Sequence, residues 1–549
     1  MWTIPTQRLL DGKGDSPVEV HCERVEQRVL ELEKEILALK AFRNTMSRTA
    51  ALPAEILSDI FLYVAFDCRL NCRPAAWIPR VTHVCRQWRE VAISSPSLWT
   101  DICFRTPELM QLMLERSRNA PLTLSHWGAR TRGDRRGDLP ILRTALNHIS
   151  RTQSIDFSTR NGLGTLGTLL TQWPAEPTPV LQTVILKDEK DSFSFPGSFP
   201  SEVPSLLYLE LYGCKIASWK DLPLGIKLKV LGLHAHASAQ RRPTSEEFLV
   251  ALKRVPSLRK LGLSHILPVN QYTAPLTPTG RPPFVLSEVQ ALGLVDQAPA
   301  LINFLRTVDI SNVSNLEIEV AGRLGDHASL DDLFAALALS WKPVVDAGPK
   351  FIGIREEYSF ANEDTIQLIE MRFGSSRDRP QTLRFTVRNS GPTISSALGA
   401  IKRHMDLSPV RSLAWRGIWM RTASCDVFAD LPNLEKITLD KTDVKSFVRA
   451  LRGGPASDTT PFRALESLSM RNVDFGDGKP RRRAAIDAAA VTFGSLLAAL
   501  QSRPDPVPFI EIRDCRYLRD SYRRTMQELL PETEVMWDNS EMVSDDEDD

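Results

Sequence analysis

Residues 206–216 read LLYLELYGCKI, and the apolar positions in this stretch follow the spacing Leu-x-x-Leu-x-Leu-x-x-Cys-x-Ile. The alternation of Leu209 and Leu211 with their neighbours indicates a short strand that buries one face. The same spacing, in shorter or longer form, recurs at Leu181/Val184/Leu186, Leu228/Leu231/Leu233, Leu258/Leu261/Leu263/Ile266, Val289/Leu292/Leu294, Val313/Leu316/Ile318, Val410/Leu413/Trp415/Ile418, Leu434/Ile437/Leu439, Leu465/Leu468/Met470/Val473 and Val507/Ile510/Ile512/Cys515. Ten copies of one spacing are hard to obtain by chance and indicate a repeated structural unit.

The segments between the strands have helical periodicity, at 246–255, 331–339, 394–404, 444–451 and 484–500. Most recognisable strands begin 22 to 31 residues apart, but 69 residues separate Leu316 from Phe385. We predict a degenerate or replaced repeat in that gap, with residues 351–354 as a hidden strand. The whole pattern resembles leucine-rich repeats and predicts an irregular right-handed α/β solenoid over residues 106–530.

Short helical segments separated by prolines occupy residues 52–99. Leu-Pro-Ala-Glu-Ile-Leu at 52–57 begins this region, Val-Cys-Arg-Gln-Trp-Arg at 84–89 follows, and Pro-Ser-Leu-Trp at 96–99 ends it. We predict that Pro53 lies in the first turn of a helix. That helix then carries one apolar face, formed by Ile56, Leu57, Ile60, Phe61 and Val64, and a later helix carries a second face, formed by Val84, Trp88, Val91 and Ala92. About fifty residues make a marginal core, so further burial against a partner is expected.

These three motifs, in this order, resemble the F-box family. The resemblance implies that residues 45–105 form a small all-α F-box that docks on a Skp-type adaptor and, through it, on a cullin. By resemblance, the positions that form the adaptor-facing surface or hold it in shape are Leu52, Pro53, Ile56, Leu57, Val84, Cys85 and Trp88. Residues 66–81 depart from the family pattern, because many members have a shorter link there. A preceding heptad helix and an insert of this kind are similar to fungal F-box proteins.

A heptad pattern precedes this region, within the helix predicted at residues 18–44. Its apolar positions alternate at spacings of four and three, at Val18, Cys22, Val25, Val29, Leu32, Ile36 and Leu39. This seam is typical of a coiled coil that self-associates through residues 18–43, and equally of a helix that packs on the next domain. Residues 1–17 and the acidic tail at 531–549 are predicted to be disordered, with Ser544 either a kinase site or part of a solubilising tail.

Composition limits the classes of function. The net charge of +1 provides no overall field for nucleic acid, and no N-terminal apolar segment or 18-residue uncharged apolar run predicts secretion or a membrane span. The eight cysteines are thinly spread, as is typical of reduced intracellular thiols. We therefore expect a cytoplasmic or nuclear protein without membrane or nucleic-acid partners.

No pattern for catalysis stands out, and we predict a protein that is not an enzyme and needs no cofactor or metal. The glycines at 162–167 have dinucleotide-binding spacing, but Pro174 interrupts the long helix that such a site requires. Cys68, Cys72, His83 and Cys85 could be zinc ligands, but Cys85 lies in an F-box motif and no second Cys-x-x-Cys exists. The basic clusters at 130–136 and 479–483 lack interleaved aromatic residues, so they favour solvated loops.

The predicted function is substrate recognition in a Skp-cullin-F-box ubiquitin ligase, with the repeat surface binding an unknown protein target. Strand alternation leaves Tyr208, Glu210 and Tyr212 facing outward on one strand, and Ser412, Ala414 and Arg416 on another. Aromatic and arginine side chains are the usual interface anchors, so Tyr208, Tyr212 and Arg416 are the candidate target-binding residues. The alternative is an adaptor-binding scaffold or oligomeric structural protein that engages no degradation substrate.

Overall fold

The computed structural model describes residues 4–12, 17–71, 75–127, 138–159, 165–171, 173–174, 176–188, 193–195, 199–200, 202–236, 242–269, 284–321, 327–341, 348–359, 364–374, 381–388, 394–417, 425–442, 444–453, 460–476 and 482–538. The chain divides into two compact units. The N-terminal unit contains residues 1–158 and 173–183, and the C-terminal unit contains residues 159–172 and 184–549.

Helices dominate the N-terminal unit. Its α-helices are α1 Ile4–Asp11, α2 Val18–Thr45, α3 Ala54–Leu70, α4 Trp77–Thr82, α5 Arg86–Ser94, α6 Pro107–Arg116 and α7 Asp138–Leu146. Short 3₁₀ turns lie at Arg48–Ala51, Pro96–Trp99 and Ile149–Arg151. Three strands, β1 Asp101–Ile102, β2 Leu122–Trp127 and β3 Thr152–Thr159, pair in parallel in chain order. The predicted boundary at residue 105 therefore falls inside this unit, which continues through β3.

The first two helices differ in part from the prediction. The segment predicted to be disordered, residues 1–17, contains α1, and Arg28 Nε on α2 donates a hydrogen bond to Thr6 Oγ1 on α1 at 3.2 Å. Helix α2 forms where the heptads predict it, over 28 residues. Most of its seam faces solvent, at Val18, Cys22, Val25, Val29, Ile36 and Leu39.

Strands and helices alternate in the C-terminal unit. Its elements are α8 Thr165–Thr171, β4 Thr183–Asp188, β5 Phe193–Ser194, β6 Tyr208–Tyr212, β7 Cys214–Lys215, β8 Val230–His234, α9 Ser245–Lys253, β9 Lys260–Ser264, β10 Phe284–Val285, β11 Ala291–Asp296, α10 Ala298–Thr307, β12 Val308–Asp309, β13 Asn315–Val320, α11 His327–Ser340, β14 Pro349–Ser359, β15 Asp364–Phe373, β16 Gln381–Arg388, α12 Ile394–His404, β17 Ser412–Gly417, β18 Lys436–Asp440, α13 Val444–Arg452, β19 Ser467–Arg471, α14 Arg482–Gln501, β20 Phe509–Arg513, α15 Asp520–Leu529 and β21 Glu534–Asp538. A 3₁₀ turn lies at Cys425–Phe428.

The ten predicted strands are all present, as β4, β6, β8, β9, β11, β13, β17, β18, β19 and β20. Their apolar framework positions within the described residues are buried, from Leu181 at one end to Cys515 at the other. The five predicted helices are confirmed as α9, α11, α12, α13 and α14. Hydrophobic periodicity predicted these elements correctly, because each framework side chain enters an apolar core that is also lined by framework side chains of the adjacent strands.

The strands of this unit form a large, mostly parallel sheet. Neighbouring strands follow the order β6, β8, β9, β11, β13, β16, β15, β14, β17, β18, β19, β20 and β21. Pairing keeps the framework in register, since Leu209 is opposite Leu231 and Leu231 is opposite Leu261. Each side chain of one repeat therefore meets the equivalent side chain of the next.

The gap between Leu316 and Phe385 is filled differently from the neighbouring repeats. The hidden strand predicted at 351–354 is confirmed within β14, but β14 pairs with β17 and not with β13. Strand β15 returns antiparallel to β14 and also pairs antiparallel with β16, which lies beside β13. A long hairpin arm has therefore been inserted into the parallel order.

Helix α14 is the one helix among the described residues that is long and apolar enough to cross a membrane by length and composition alone. Its side chains join the core of the C-terminal unit, because Phe493 stacks on Tyr522 with ring centroids 4.6 Å apart and Leu496 is fully buried. Buried core helices of soluble proteins pass the same test of length and hydropathy. Packing within this unit buries 44% of this apolar window.

The buried framework makes a direct prediction about stability. Replacing Leu261, which is fully buried, with Ala should lower the free energy of unfolding of the C-terminal unit by about 2–5 kcal/mol, because the loss of contacts leaves a cavity. Leu339→Ala, at an exposed leucine on α11, is the matched control and should change it by less than about 0.5 kcal/mol. Urea unfolding measured by hydrogen exchange of β9 and its neighbours tests both, and equal midpoints for the two variants would show that the register is wrong.

Candidate functional site

Helix α3 carries two apolar faces instead of the single face that the sequence predicted. Leu57 and Phe61 point inward and are fully buried, with Cys68 further along the same side. The other face is exposed: Ile56 is 45%, Ile60 40%, Tyr63 77%, Phe66 57% and Leu70 67% accessible. At 100° per residue these five side chains span an arc of about 120° along the helix. We call them the α3 surface.

The inward face is held by aromatic contacts within a small bundle. The rings of Phe61 and Trp88 lie 5.0 Å apart, and those of Trp77 and Trp99 also lie 5.0 Å apart. Trp99 Nε1 donates a hydrogen bond to the Ala92 carbonyl oxygen at 2.7 Å. The bundle thereby fixes which side of α3 faces away from it.

The segment from Phe66 to Val81, which departs from the family pattern, is helical at both of its ends. Its first residues lengthen α3 as far as Leu70, and its last residues form α4. Trp77, on α4, is almost fully buried against Trp99 from the closing motif. The insert is therefore part of the bundle, and it extends the α3 surface by about one turn.

The seven predicted adaptor residues divide into two groups. Pro53, Ile56 and Val84 are exposed, while Leu57 is fully buried and Leu52, Cys85 and Trp88 are half-buried. Cys85 caps α5, since its Sγ accepts a hydrogen bond from the Trp88 backbone N–H at 3.5 Å. Pro53 immediately precedes α3 instead of lying in its first turn, because its ψ of 152° is not helical.

Sequence reasoning did not select Tyr63, Phe66 and Leu70 as site residues. Their signal was the continuation of the spacing of Ile56 and Ile60 beyond the opening motif. The spacings of four, three, three and four residues from Ile56 to Leu70 place these side chains along one side of a helix. The predicted apolar face ends at Val64, because residues 66–81 depart from the family pattern.

The two alternative sites gain no support from the described residues. Cys68 is buried with Arg80 Nη1 at 3.5 Å from its Sγ, Cys85 is a helix cap, and Cys72 lies outside the described residues. Within the described part of the chain, no group of three or more His, Cys, Asp or Glu side chains is placed to hold a metal ion. Residues 162–164 of the glycine stretch, the basic cluster at 130–136 and Ser544 also lie outside it, and residues 165–167 begin α8, which ends at Thr171.

On the C-terminal unit, the predicted target-binding residues lie on the outward face of the sheet but do not form one site. Tyr208 and Tyr212 are on β6, whereas Arg416 is on β17, eight strand-to-strand steps away. At about 4.8 Å per step this is roughly 40 Å along the sheet. Arg416 is half-exposed, and its Nε lies 3.2 Å from Asp440 Oδ2.

The surroundings of the two tyrosines are tightly packed. The Tyr212 ring stacks on the His234 ring with centroids 4.2 Å apart, and Lys187 Nζ lies 4.7 Å from the Tyr212 ring centroid. The Tyr208 hydroxyl donates a hydrogen bond to Glu210 Oε1 at 2.5 Å. Burial, followed by the charge and hydrogen bonding of Glu210, raises the pKa of Tyr212 to about 12. Burial likewise lowers the pKa of His234, so its neutral form is favoured.

Glu210 is largely buried, in contrast to the outward exposure that alternation predicted. It is opposite Gly232 in the sheet, and a Cβ on Gly232 would approach Glu210 Cγ to 2.8 Å. The missing side chain thus leaves room for Glu210 to lie flat over the neighbouring strand. Alternation within one strand could not reveal this, because the space is provided by another strand.

A groove with a volume of about 920 Å³ crosses the outward face between β6 and β16. Its floor follows the central outward position of successive strands, which is occupied in register by Glu210, Gly232, Gly262, Gly293, Glu317 and Arg384. Tyr212 and His234 line one end. At the other end, Arg384 Nη1 donates to Glu317 Oε1 at 2.9 Å.

Comparison with known proteins supports one part of the chain. Residues 49–105 match the family model described as F-box-like, so the chain contains an F-box-like domain that includes α3, α4 and α5. No curated protein matches the sequence. Among solved structures, the chain is similar to one in the crystal structure of the Rad7 and Elc1 complex in yeast, with 12% identity over 97% of this chain and 96% of that chain. The TM-score of 0.22 is too low for that likeness to support any assignment.

The division of α3 into two faces predicts opposite effects for neighbouring residues. Phe61→Ala should lower the free energy of unfolding of the N-terminal unit by about 3–5 kcal/mol, because Phe61 is fully buried against Trp88. Ile60→Ala should change it by no more than about 0.5 kcal/mol, since Ile60 faces solvent. Protection of the α3 amides against hydrogen exchange measures both changes, and similar losses in the two variants would contradict the assignment of the faces.

Proposed function

We propose that the chain is a substrate receptor of a Skp-cullin-F-box ubiquitin ligase. The F-box-like domain docks on a Skp-type adaptor and, through it, a cullin, while the outward face of the C-terminal unit binds a protein target. The single observation that supports this proposal most strongly is the exposed α3 surface inside the F-box-like domain. Five large apolar side chains on one helix face remain accessible there, whereas the inward face of the same helix is fully packed.

The physical argument for an adaptor is the cost of leaving this surface in water. Burying apolar area stabilises a complex by about 25 cal/mol per Å², and contiguous exposed apolar patches are uncommon on soluble proteins unless they bind something. The surface is not uniformly apolar, because Asp59 and Asp67 are exposed within the same arc. Their carboxylates favour a partner that presents a mixed surface, with apolar residues beside basic or hydrogen-bonding groups.

For the target-binding half, we propose that the C-terminal unit is a leucine-rich-repeat-like solenoid. The support is the set of ten recurring strands with helices between many of them, which pair in parallel and in register from β6 to β13 and again from β17 to β20. A receptor of this kind does not catalyse the formation of a covalent bond. It raises the effective concentration of a bound target near the ubiquitin-charged enzyme.

Helix α2 favours a second candidate function, a scaffold that self-associates and engages no degradation substrate. Its heptad seam is mostly exposed: Val18 is 75% and Leu39 64% accessible, and Val29 and Ile36 are about half accessible. A second copy of α2 would bury this seam in a coiled coil. Such association is compatible with adaptor docking, so the two functions must be separated by experiment.

The adaptor half is tested on the full chain by co-purification with a Skp-type adaptor. Ile60→Glu should reduce capture by about 30-fold or more, the effect of losing an interface hot spot worth about 2 kcal/mol, because a charge replaces an apolar contact. Leu339→Glu, at a leucine on helix α11 that is also exposed, is the matched control and should bind as the parent does. If Ile60→Glu remains folded and captures the adaptor normally, α3 does not form the docking surface.

Self-association is tested by sedimentation velocity over a concentration series. Ile36 lies on the heptad seam and Leu37 lies beside it, yet both are about half-exposed on the same helix. Ile36→Glu should shift an oligomer to monomer, while Leu37→Glu should leave it unchanged, because only the seam position is buried in a coiled coil. A parent chain that sediments as a monomer at all concentrations would eliminate the scaffold alternative based on α2.

A further inference from the structure

The glycine floor of the groove has no complete explanation in the chain's own packing. Glycine in a strand interior costs roughly 0.5–1 kcal/mol relative to alanine, and it often marks the close approach of another backbone or a ligand. Here Gly232, Gly262 and Gly293 are adjacent partners on β8, β9 and β11. None of them has a positive φ, so the backbone conformation does not require glycine at any of the three.

The three positions differ in what a side chain would meet. At Gly232 a Cβ would clash with Glu210 Cγ at 2.8 Å, so this glycine accommodates a neighbour within the chain. At Gly262 the nearest atoms, from His234, lie at 3.4 Å, which is ordinary contact. At Gly293 nothing lies within 4 Å. The open space therefore widens from β8 towards β11, and internal packing does not account for it.

The dimensions of this space fit a peptide. From His234 on β8 to Arg384 on β16 there are four strand-to-strand steps, or about 19 Å at 4.8 Å each. An extended chain covers that distance with about six residues at 3.3 Å per residue. Because the floor is glycine, a peptide backbone with small side chains can approach the sheet closely there.

The charges around the groove indicate the chemistry of the peptide. Among the residues that line the groove, the carboxylates of Glu210, Glu317 and Glu319 outnumber the cations Lys260 and Arg384. Arg384 is held within the chain, since its Nη1 is 2.9 Å from Glu317 and its Nε is 3.7 Å from Glu370. A cationic occupant is therefore favoured over an acidic one.

We propose that this groove binds an extended segment of the target protein that combines small residues, which lie over Gly262 and Gly293, with at least one arginine or lysine directed at the carboxylates. The inference deepens the target-binding half of the proposed function and does not depend on adaptor docking. Tyr212 and His234 then form one end of the site. Arg416 lies three strand-to-strand steps, or about 14 Å, beyond Arg384 at the other end and is not part of it.

The test uses a random dodecapeptide library displayed on phage and selected on the full immobilised chain. Selected peptides should be rich in arginine or lysine next to glycine, alanine or serine. Their synthetic, fluorescent forms should bind more weakly as salt rises, because salt screens the charges. Replacing the basic residue of a selected peptide with glutamine should weaken binding at least tenfold. Selection of acidic or purely apolar peptides, or of none, would overturn the proposal.

Variants of the floor locate the binding. Gly293→Leu fills the open space without meeting any atom within 4 Å of its Cβ, and it should weaken binding of the selected peptides at least tenfold. The matched control is Gly225→Leu, which also has an open Cβ position but lies outside the groove and should change affinity less than twofold. Equal binding by both variants would overturn the proposal. Should Gly293→Leu prove unstable, Gly293→Ala provides the smaller obstruction.

Adaptor capture by the same variants separates this proposal from the proposed function. Gly293→Leu should retain the adaptor while losing the peptide. A parent chain that binds basic peptides through the groove but captures no adaptor would contradict the ligase assignment and leave the groove proposal standing. If the parent chain captures the adaptor but the groove variants bind peptide as well as the parent does, the groove proposal is contradicted and the ligase assignment stands.

Discussion

The register between neighbouring strands is the constraint on which the C-terminal unit depends. Two continuous rows of buried side chains cross the sheet, and they continue through the antiparallel strand, where Met371 is opposite Leu383 and Ile369 is opposite Phe385. Because side chains alternate between faces, fixing the buried rows also fixes the outward ones. The groove floor is a consequence of this register: a shift of one residue in any strand would turn its glycine inward.

A smaller aromatic cluster has the same role in the F-box-like domain. The contact between Phe61 and Trp88 determines which side of α3 is buried, and Trp77 with Trp99 extends that packing into the insert. With so few buried residues, each contact determines much of the orientation of the helix. The residues of α3 that do not pack against this cluster are the ones left exposed to solvent.

Periodicity predicted the strands, their buried positions and the intervening helices, because each is decided by a local choice between core and solvent. It could not predict that β14 lies beside β17, since strand order depends on which long-range pairing forms. The burial of Glu210 depends on a missing side chain at Gly232, on another strand. On α3, the buried Leu57 and Phe61 each directly follow an exposed residue, Ile56 and Ile60. All four side chains lie within one continuous apolar arc of the helix, so helical periodicity does not distinguish the two pairs. The motif therefore located the F-box-like domain but could not separate its exposed residues from its buried ones.

The inserted hairpin arm has a consequence for the order in which the sheet assembles. Strand β11 is joined to β13 across 24 residues, from Ala291 to Asn315, whereas β13 is joined to β16 across 67 residues, from Asn315 to Thr382. The longer loop costs about 0.9 kcal/mol more in closure entropy. We expect the strands before β14 and those after it to gain structure as two cooperative blocks, with the junction at β15 and β16 formed last. During synthesis, the first block would be complete before the residues that join it to the second have been made.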